Sequence, residues 1–321
     1  VILILTNKGD AHADMVIRHL HNACIDFFRL NTEDFLESQC SLTFSDDWSG
    51  VLYTSKRSLN INAVQSIWYR RPKKPKVVAN ILEEDVVDFV SRETGVVLAG
   101  LWDLLSDRFW INHPRRNSVA DNKIAQLRVA QMVGLTIPPS LITTSPTKVM
   151  DFVNRYGDVV VKPLGGGFIK REGQTNLIYT NRIDIKNLAC ISQVTHCPTF
   201  FQAYVSKLFE LRITVVCGEF FSCKIDSQNS ERTRDDWRRY DFDKVDHSSY
   251  QLPEEVQTML ENLMSCLGLN FGAIDMIVTP KGEYVFLEIN PNGQWGWIEE
   301  LTGMPISLAI TRALMNPSCC F

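Results

Sequence analysis

Three stretches of the chain predict an α/β protein built of three units. The first is the opening run Val1-Ile2-Leu3-Ile4-Leu5, an apolar strand followed by helix-like spacing from Ala13 to Cys24. The second is Asp158-Val159-Val160-Val161-Lys162, a β-branched strand that ends on a lysine and a glycine-rich turn. The third runs from Asp275 to Asn290, where two apolar β-type runs flank Pro280-Lys281-Gly282 as in a hairpin.

The first unit is expected over residues 1–113. After the opening strand and helix come a β-type segment at Phe27–Leu30, a hairpin over Cys40–Tyr53 and a strand Ser66–Tyr69 that leads into Arg70-Arg71-Pro72. Apolar residues at helical spacing predict a long amphipathic helix from about Ile81 to Leu105. The second unit is expected over 114–199. Asp121 is placed to cap a helix through Val133 that Gly134 ends, and Thr144 or Ser145 to cap a short helix through Arg155. The third unit, 200–321, is strand-rich. It holds an extended run from Phe200 to Val205, a hairpin from Leu211 to Ile225, a polar loop Asp226–Tyr240, a helix Glu254–Leu267 ended by Gly268, the second hairpin and a last helix Ile306–Met315.

Chemistry is concentrated in the last hairpin. Symmetric pairing about Lys281-Gly282 sets Asp275 opposite Glu288, and Asn290, two residues on, shares the Glu288 face. Opposed carboxylates repel, and a cation between them removes that cost. Three oxygen ligands on one ribbon suit Mg²⁺. Lys162 with Gly165, Gly166 and Gly167 suits phosphate: a fixed point charge beside backbone that can approach closely. The spacing is not that of a P-loop, and a flexible turn would look the same. Gln202, Ala203 and Val205 lie in a run that can offer backbone groups to an adenine edge, although a core strand reads similarly. Glu210 and Arg212 alternate onto one strand face, where the arginine can clamp a carboxylate or phosphate or simply form an ion pair.

Taken in order, Lys123, Lys162 with its glycines, the 202–205 segment, Arg212, Asp275, Glu288 and Asn290 resemble an ATP-grasp ligase from about Pro114 to Met315. A narrower resemblance covers nearly the whole chain, to the ATP-grasp macrocyclases of graspetide (microviridin-type) biosynthesis. It rests on Trp68-Tyr69-Arg70-Arg71-Pro72, on Lys224-Ile225-Asp226-Ser227-Gln228 with Asp236-Trp237-Arg238, and on Asn290-Pro291-Asn292-Gly293-Gln294-Trp295-Gly296-Trp297-Ile298-Glu299. The resemblance implies an ATP-grasp fold preceded by a pre-ATP-grasp domain. Lys123 and Lys162 would hold the α- and β-phosphates, and Gly165–Gly167 would close over them. Gln202, Ala203 and Val205 would read adenine, Glu210 would take the ribose, and Arg212 would steady the γ-phosphate. Asp275, Glu288 and Asn290 would bind Mg²⁺. Asp226, Asp236 and Glu299 are the candidate bases. The implied substrate is a ribosomally made precursor peptide with leader and core, and the resemblance favours a dimer. An amino-acid ligase on the same fold and a non-catalytic ATP-binding module are the competing readings.

Bulk properties agree with an enzyme of this kind. The chain has 321 residues, 45% hydrophobic and 22% charged, with a net charge of −4, which disfavours a general nucleic-acid binder. No apolar run approaches the roughly 20 residues of a membrane span. The N-terminus reads as a strand and not as a signal peptide, and the missing initiator Met points to trimming. Nine cysteines without a Cys-x-x-Cys, two of them adjacent at Cys319-Cys320, disfavour a disulfide scaffold or a zinc site. Reduced thiols in a cytoplasmic protein are expected. His19 and His21 are read as surface residues.

Overall fold

The computed structural model describes residues 1–55, 57–77, 83–165, 167–171, 174–184 and 190–317. The chain begins with β1 (Ile2–Thr6), α1 (Ala11–Asn22) and β2 (Phe27–Asn31). Asp10 starts α1 by accepting from the backbone N–H groups of His12 and Ala13, and Ala13, Val16 and Leu20 are buried. A meander of β3 (Gln39–Phe44), β4 (Trp48–Tyr53) and β5 (Ser58–Asn60) follows, then β6 (Ser66–Tyr69), α2 (Glu84–Leu104) and β7 (Phe109–Ile111). β2, β1, β6 and β7 form a parallel sheet in that order. All five residues of β1 are buried, as a central parallel strand covered on both faces requires. The expected start of α2 near Ile81 lies outside the described residues, as do Cys319 and Cys320.

Next come α3 (Pro114–Ala120) and α4 (Lys123–Met132) where one helix capped by Asp121 was expected. Asp121 instead ends α3, and Asn122 caps α4 by accepting from Ile124 and Ala125 N–H. Lys123 therefore stands at the first position of α4. A lysine there opposes the helix dipole, so helix stability does not explain it. β8 (Ser140–Thr143), α5 (Pro146–Tyr156, capped by Ser145), β9 (Val159–Lys162), β10 (Phe168–Arg171), β11 (Gln174–Leu177), β12 (Asn181–Arg182) and β13 (Thr199–Ala203) follow. β12, β9, β13 and β8 make an antiparallel sheet, while β10 and β11 pair with each other as a ribbon. The buried cluster of this lobe is small: Val149, Val159, Val194 and Phe201.

The last part contains β14 (Phe209–Val216), β15 (Glu219–Ile225), β16 (His247–Ser249), α6 (Glu254–Leu267), β17 (Phe271–Val278), β18 (Tyr284–Asn290), α7 (Gly296–Thr302) and α8 (Ile306–Met315). The sheet order is β16-β15-β14-β17-β18. Every residue of β14 and of β17 is buried. Val256, Leu260 and Leu263 of α6 pack on Leu211, Ile213, Ile274 and Met276. Gly268 ends α6 at φ +65°, a left-handed conformation that costs glycine little. A separate core joins the first and last parts: Val16 and Leu20 of α1 pack with Phe221, Trp295, Ile306 and Ile310.

Among the described residues the chain leaving β18 has no further strand to pair with, and side chains complete its hydrogen bonds. The Gln126 amide accepts from Ile289 N–H at 3.0 Å and donates to Ile289 O at 2.9 Å. Asn112 Nδ2 donates to Phe271 O and Pro291 O, while its Oδ1 accepts from Asn270 and Phe271 N–H. Arg70 Nη1 donates to Asn292 O and Gly293 O, both at 2.9 Å. Arg212 Nη2 donates to Gln294 O, and His12 Nε2 accepts from Trp295 N–H. Four of these five side chains come from before residue 130 and are joined to the segment through space only.

Among the described residues no helix is long and apolar enough to cross a membrane. Six described cysteines are free, but Cys217 is disulfide-bonded, so the expectation of reduced thiols throughout fails at that position.

Asn112→Ala is expected to cost at least about 3 kcal/mol of stability, because it leaves several buried backbone groups without partners. Urea denaturation checks this; a loss below about 1 kcal/mol would mean that water replaces the amide.

Candidate active site

A cleft opens between the β12-β9-β13-β8 sheet and the five-stranded sheet. Pro138, Val160, Val205, Ile277 and Leu287 give it apolar walls. Its polar groups include three lysines, five carboxylates and Arg238, together with Gln202 and Thr180.

Lys162 ends β9, as the sequence pattern anticipates. Its Nζ donates to Gln202 Oε1 at 2.7 Å, and Gln202 Nε2 donates on to Ser140 Oγ. The Gln202 amide thus orders the lysine, and the backbone at Ala203 and Val205 borders the cleft beside it. Burial pushes the Lys162 amine down to about 8, against the pull of Glu288. Lys123 and Lys207 push the same way as burial. Each of them has an acid: Lys123 pairs with Glu288, and Lys207 with the buried Glu210 at 2.9 Å. Among the described residues Lys162 has only a neutral amide, so it is the ammonium with attraction to spare.

Glu210 is buried, and burial raises its carboxyl despite the Lys207 charge. Gly165 and Gly167 follow Pro163 and do not line the cleft. Gly165 has open space around it, whereas a Cβ on Gly167 would come within 3.0 Å of Ile178 O. Gly166 lies outside the described residues.

The last hairpin carries the acidic end of the cleft. Near the turn Val278 pairs with Tyr284, which centres the register on Lys281 and not between Lys281 and Gly282. A bulge then inserts Leu287, and beyond it Asp275 faces Glu288 as expected. The bulge also turns two consecutive side chains, Leu287 and Glu288, into the cleft. Asp275 receives Arg212 Nη1 at 2.9 Å from the opposed position of β14. Burial raises the Asp275 carboxyl, with Glu288 adding to it and Arg212 opposing it. Burial also disfavours the Glu288 charge, but the Lys123 ammonium outweighs it and holds that carboxyl low. Asn290 pairs with Ala273 two residues further on.

This donor set fits a hard cation. It has two carboxylates and an amide oxygen on adjacent strands, and Asp275 Oδ1 is buried with no hydrogen-bond partner. No cluster of three or more His, Cys, Asp or Glu side chains suited to a metal occurs among the described residues.

The candidate bases separate on geometry. Asp236 lines the cleft and accepts from Thr180 N–H at 2.9 Å and from Arg238 Nη2 at 2.6 Å. Burial would raise its carboxyl, but Arg238 brings it down to about 2. A carboxylate so acidic takes up no proton near neutrality, so Asp236 anchors Arg238 and is unsuited as a base. Asp226 pairs with Lys224 at 2.8 Å and does not line the cleft. Glu299 accepts from Ser307 N–H and Oγ at the start of α8 and does not line the cleft either. Lys207 escaped the sequence reading. Its only sequence signal is the spacing of three to Glu210.

Residues 1–118 match the family model of the MvdD pre-ATP grasp domain, and residues 122–290 that of the prokaryotic glutathione synthetase ATP-grasp domain. No curated protein matches the chain. Among solved structures, a Chryseobacterium gregarium RiPP-associated ATP-grasp ligase in complex with ADP and a leader and core peptide is 30% identical. Its TM-score is 0.91, over 98% of this chain and 96% of that one. Macrocyclase MdnB from Microcystis aeruginosa MRC is 33% identical, with a TM-score of 0.78 over 98% of both chains. Macrocyclase MdnC from the same organism, bound with precursor peptide MdnA, is 29% identical, with a TM-score of 0.86 over 98% of this chain and 99% of that one. With a pre-ATP-grasp domain, an ATP-grasp domain and likeness along its whole length to ligases of ribosomally made peptides, the chain belongs to the ADP-forming ATP-grasp ligases.

Proposed function

We propose that the protein is a peptide macrocyclase. It activates Asp or Glu side-chain carboxylates of a ribosomal precursor peptide and joins them to Ser or Thr hydroxyls as esters, or to Lys amines as amides. The observation that carries this reading is the extent of the likeness. It includes the first 118 residues, which match a pre-ATP-grasp domain, and not only the ATP-binding lobes. The leader and core peptides named with the Chryseobacterium ligase, and the precursor named with MdnC, support a peptide substrate.

In this reading ATP lies in the cleft with its ring between Val160, Ile277 and Leu287. The backbone from Gln202 to Val205 meets the adenine edge, and Glu210 with Lys207 faces the ribose. Lys162 and Lys123 hold phosphate oxygens. Asp275, Glu288 and Asn290 would hold Mg²⁺, which when bound neutralises phosphate charge. A peptide carboxylate oxygen attacks the γ-phosphorus, and the bond to the β,γ-bridging oxygen breaks, leaving ADP and an acyl-phosphate. A hydroxyl or amine then attacks the acyl carbon and phosphate leaves, its nucleophile's proton being lost. The chain's own share is positioning and charge. Arg212 supports charge at the transferring phosphoryl group, and the buried lysines do so without solvent reorganisation.

Lys162 gives nucleotide binding a pH dependence. Phosphate stabilises the charged amine, so ATP affinity is full below pH 8. It falls as the pH rises through about 8, by at most about tenfold per pH unit. Titration calorimetry from pH 7 to 9.5 reads this, and Lys162→Met should bind weakly throughout with a flat profile. A flat wild-type profile removes Lys162 from the phosphates.

With its precursor and Mg²⁺, the enzyme should release ADP and phosphate and lower the peptide mass by one water per ring. Arg212→Ala should reduce kcat by about 10²-fold or more while moving ATP affinity far less. Mass spectrometry beside nucleotide analysis decides it: AMP, or a mass gain equal to an amino acid, assigns a different ligase reaction.

A further inference from the structure

Arg70 lies on the first unit, just past the end of β6, and does not line the cleft. It is 1% exposed, a costly burial for a guanidinium. Its Nε stands 3.3 Å from Asp10 Oδ2, and Asp10 is itself fixed by capping α1. The other end of the fork, Nη1, holds two consecutive carbonyls, Asn292 and Gly293. Arg71 reaches Asn292 O as well, from an exposed position.

Those carbonyls belong to the short stretch that joins Asn290 to Gln294. At one end is the amide proposed to meet Mg²⁺. At the other, Gln294 O accepts from Arg212 Nη2, and Arg212 Nη1 holds Asp275. Packing leaves this stretch no freedom: a Cβ on Gly293 would fall onto Ala273 Cβ and within 2.7 Å of Arg212 Nη2. Two oxygen donors of the cation site, Asn290 and Asp275, are thus set by one turn of backbone, and that turn is gripped from the first unit.

We propose that Arg70, braced by Asp10, is a positioning residue for the divalent-cation site: it holds the 290–294 backbone so that Asn290 and the Arg212–Asp275 pair face Glu288. The proposal rests on the reading that Asp275, Glu288 and Asn290 take Mg²⁺. Lysine cannot replace Arg70, because an ammonium lacks the planar fork that spans a carboxylate on one side and two carbonyls on the other. The adenine and α-phosphate end of the cleft shares no bond with this turn, so its affinity is independent of Arg70.

The test needs no peptide. ADP binding to the full chain is titrated in EDTA and then across a Mg²⁺ series, for the wild type and for Arg70→Lys, Asp10→Asn and Gly293→Ala. Thermal melting checks that each variant is folded. The wild type should bind ADP more tightly with Mg²⁺. In Arg70→Lys, affinity in EDTA should stay within about twofold, while the Mg²⁺ needed for half of the tightening should rise about 10- to 100-fold, as for partners that orient metal ligands. Gly293→Ala should do the same from the opposite side of the turn. Asp10→Asn, which keeps the cap and the packing, should fall between, and it carries the test if Arg70→Lys does not fold. An unchanged Mg²⁺ requirement in the folded variants overturns the proposal. So does an equal loss of ADP affinity in EDTA, which would make Arg70 a general prop for the cleft. A wild type with no Mg²⁺ effect overturns the cation site and this proposal together, while the peptide mass assay still judges the macrocyclase reading separately.

Discussion

Backbone that leaves the edge of a sheet inside a protein must find hydrogen bonds or lose several kcal/mol. In this chain that constraint falls at Ile289–Trp295, directly after the carboxylate of Glu288. The partners come from His12, Arg70, Asn112, Gln126 and Arg212. The first unit therefore does more than flank the ATP-binding lobes. Its buried Asn112 amide and Arg70 guanidinium, with Gln126 of the second unit, complete the hydrogen bonds of that segment, and the shared core of α1, α7 and α8 keeps the parts in register. Acidic geometry at the cleft follows from that junction.

Charge in the cleft is arranged by the same economy of partners. Lys123 and Lys207 face Glu288 and Glu210, Arg212 faces Asp275, and Arg238 faces Asp236. The Lys207–Glu210 and Arg212–Asp275 pairs sit where little water reaches, so removing one member strands the other. Lys162 is the exception, tied among the described residues only to Gln202. A nucleotide entering this cleft meets one underused cation and a set of cations already oriented by acids, which limits reorganisation when phosphate charge arrives.

How far the chain could be read depends on the distance between partners. The strand and turn at Lys162, the hairpin with Asp275 opposite Glu288, and the helix ended by Gly268 carry local signals and were legible. The bulge at Leu287 was not, because inserting one residue leaves the apolar pattern intact. Asn122 was missed as a cap since Asp121 beside it has the same chemistry. Asn112, Gln126 and Arg70 meet their partners some 160 to 220 residues away. A polar residue destined for burial among backbone groups looks in the sequence like any surface residue. The candidate bases are a related case: Arg238 holds Asp236 and Ser307 holds Glu299, and the sequence announces neither as a contact.

Among the described residues the lobe that carries Lys162 has a four-residue buried cluster, against the two extensive cores beside it. Few apolar contacts mean low local unfolding free energy, so its amides should exchange with solvent well before those of β14 and β17. ATP in the proposed position, between that lobe and the large sheet, would serve as part of the lobe's interior. Occupancy raises the lobe's local stability in proportion to the logarithm of nucleotide concentration over its dissociation constant. With ATP in that position, nucleotide concentration would also set how long this part of the polypeptide survives a protease.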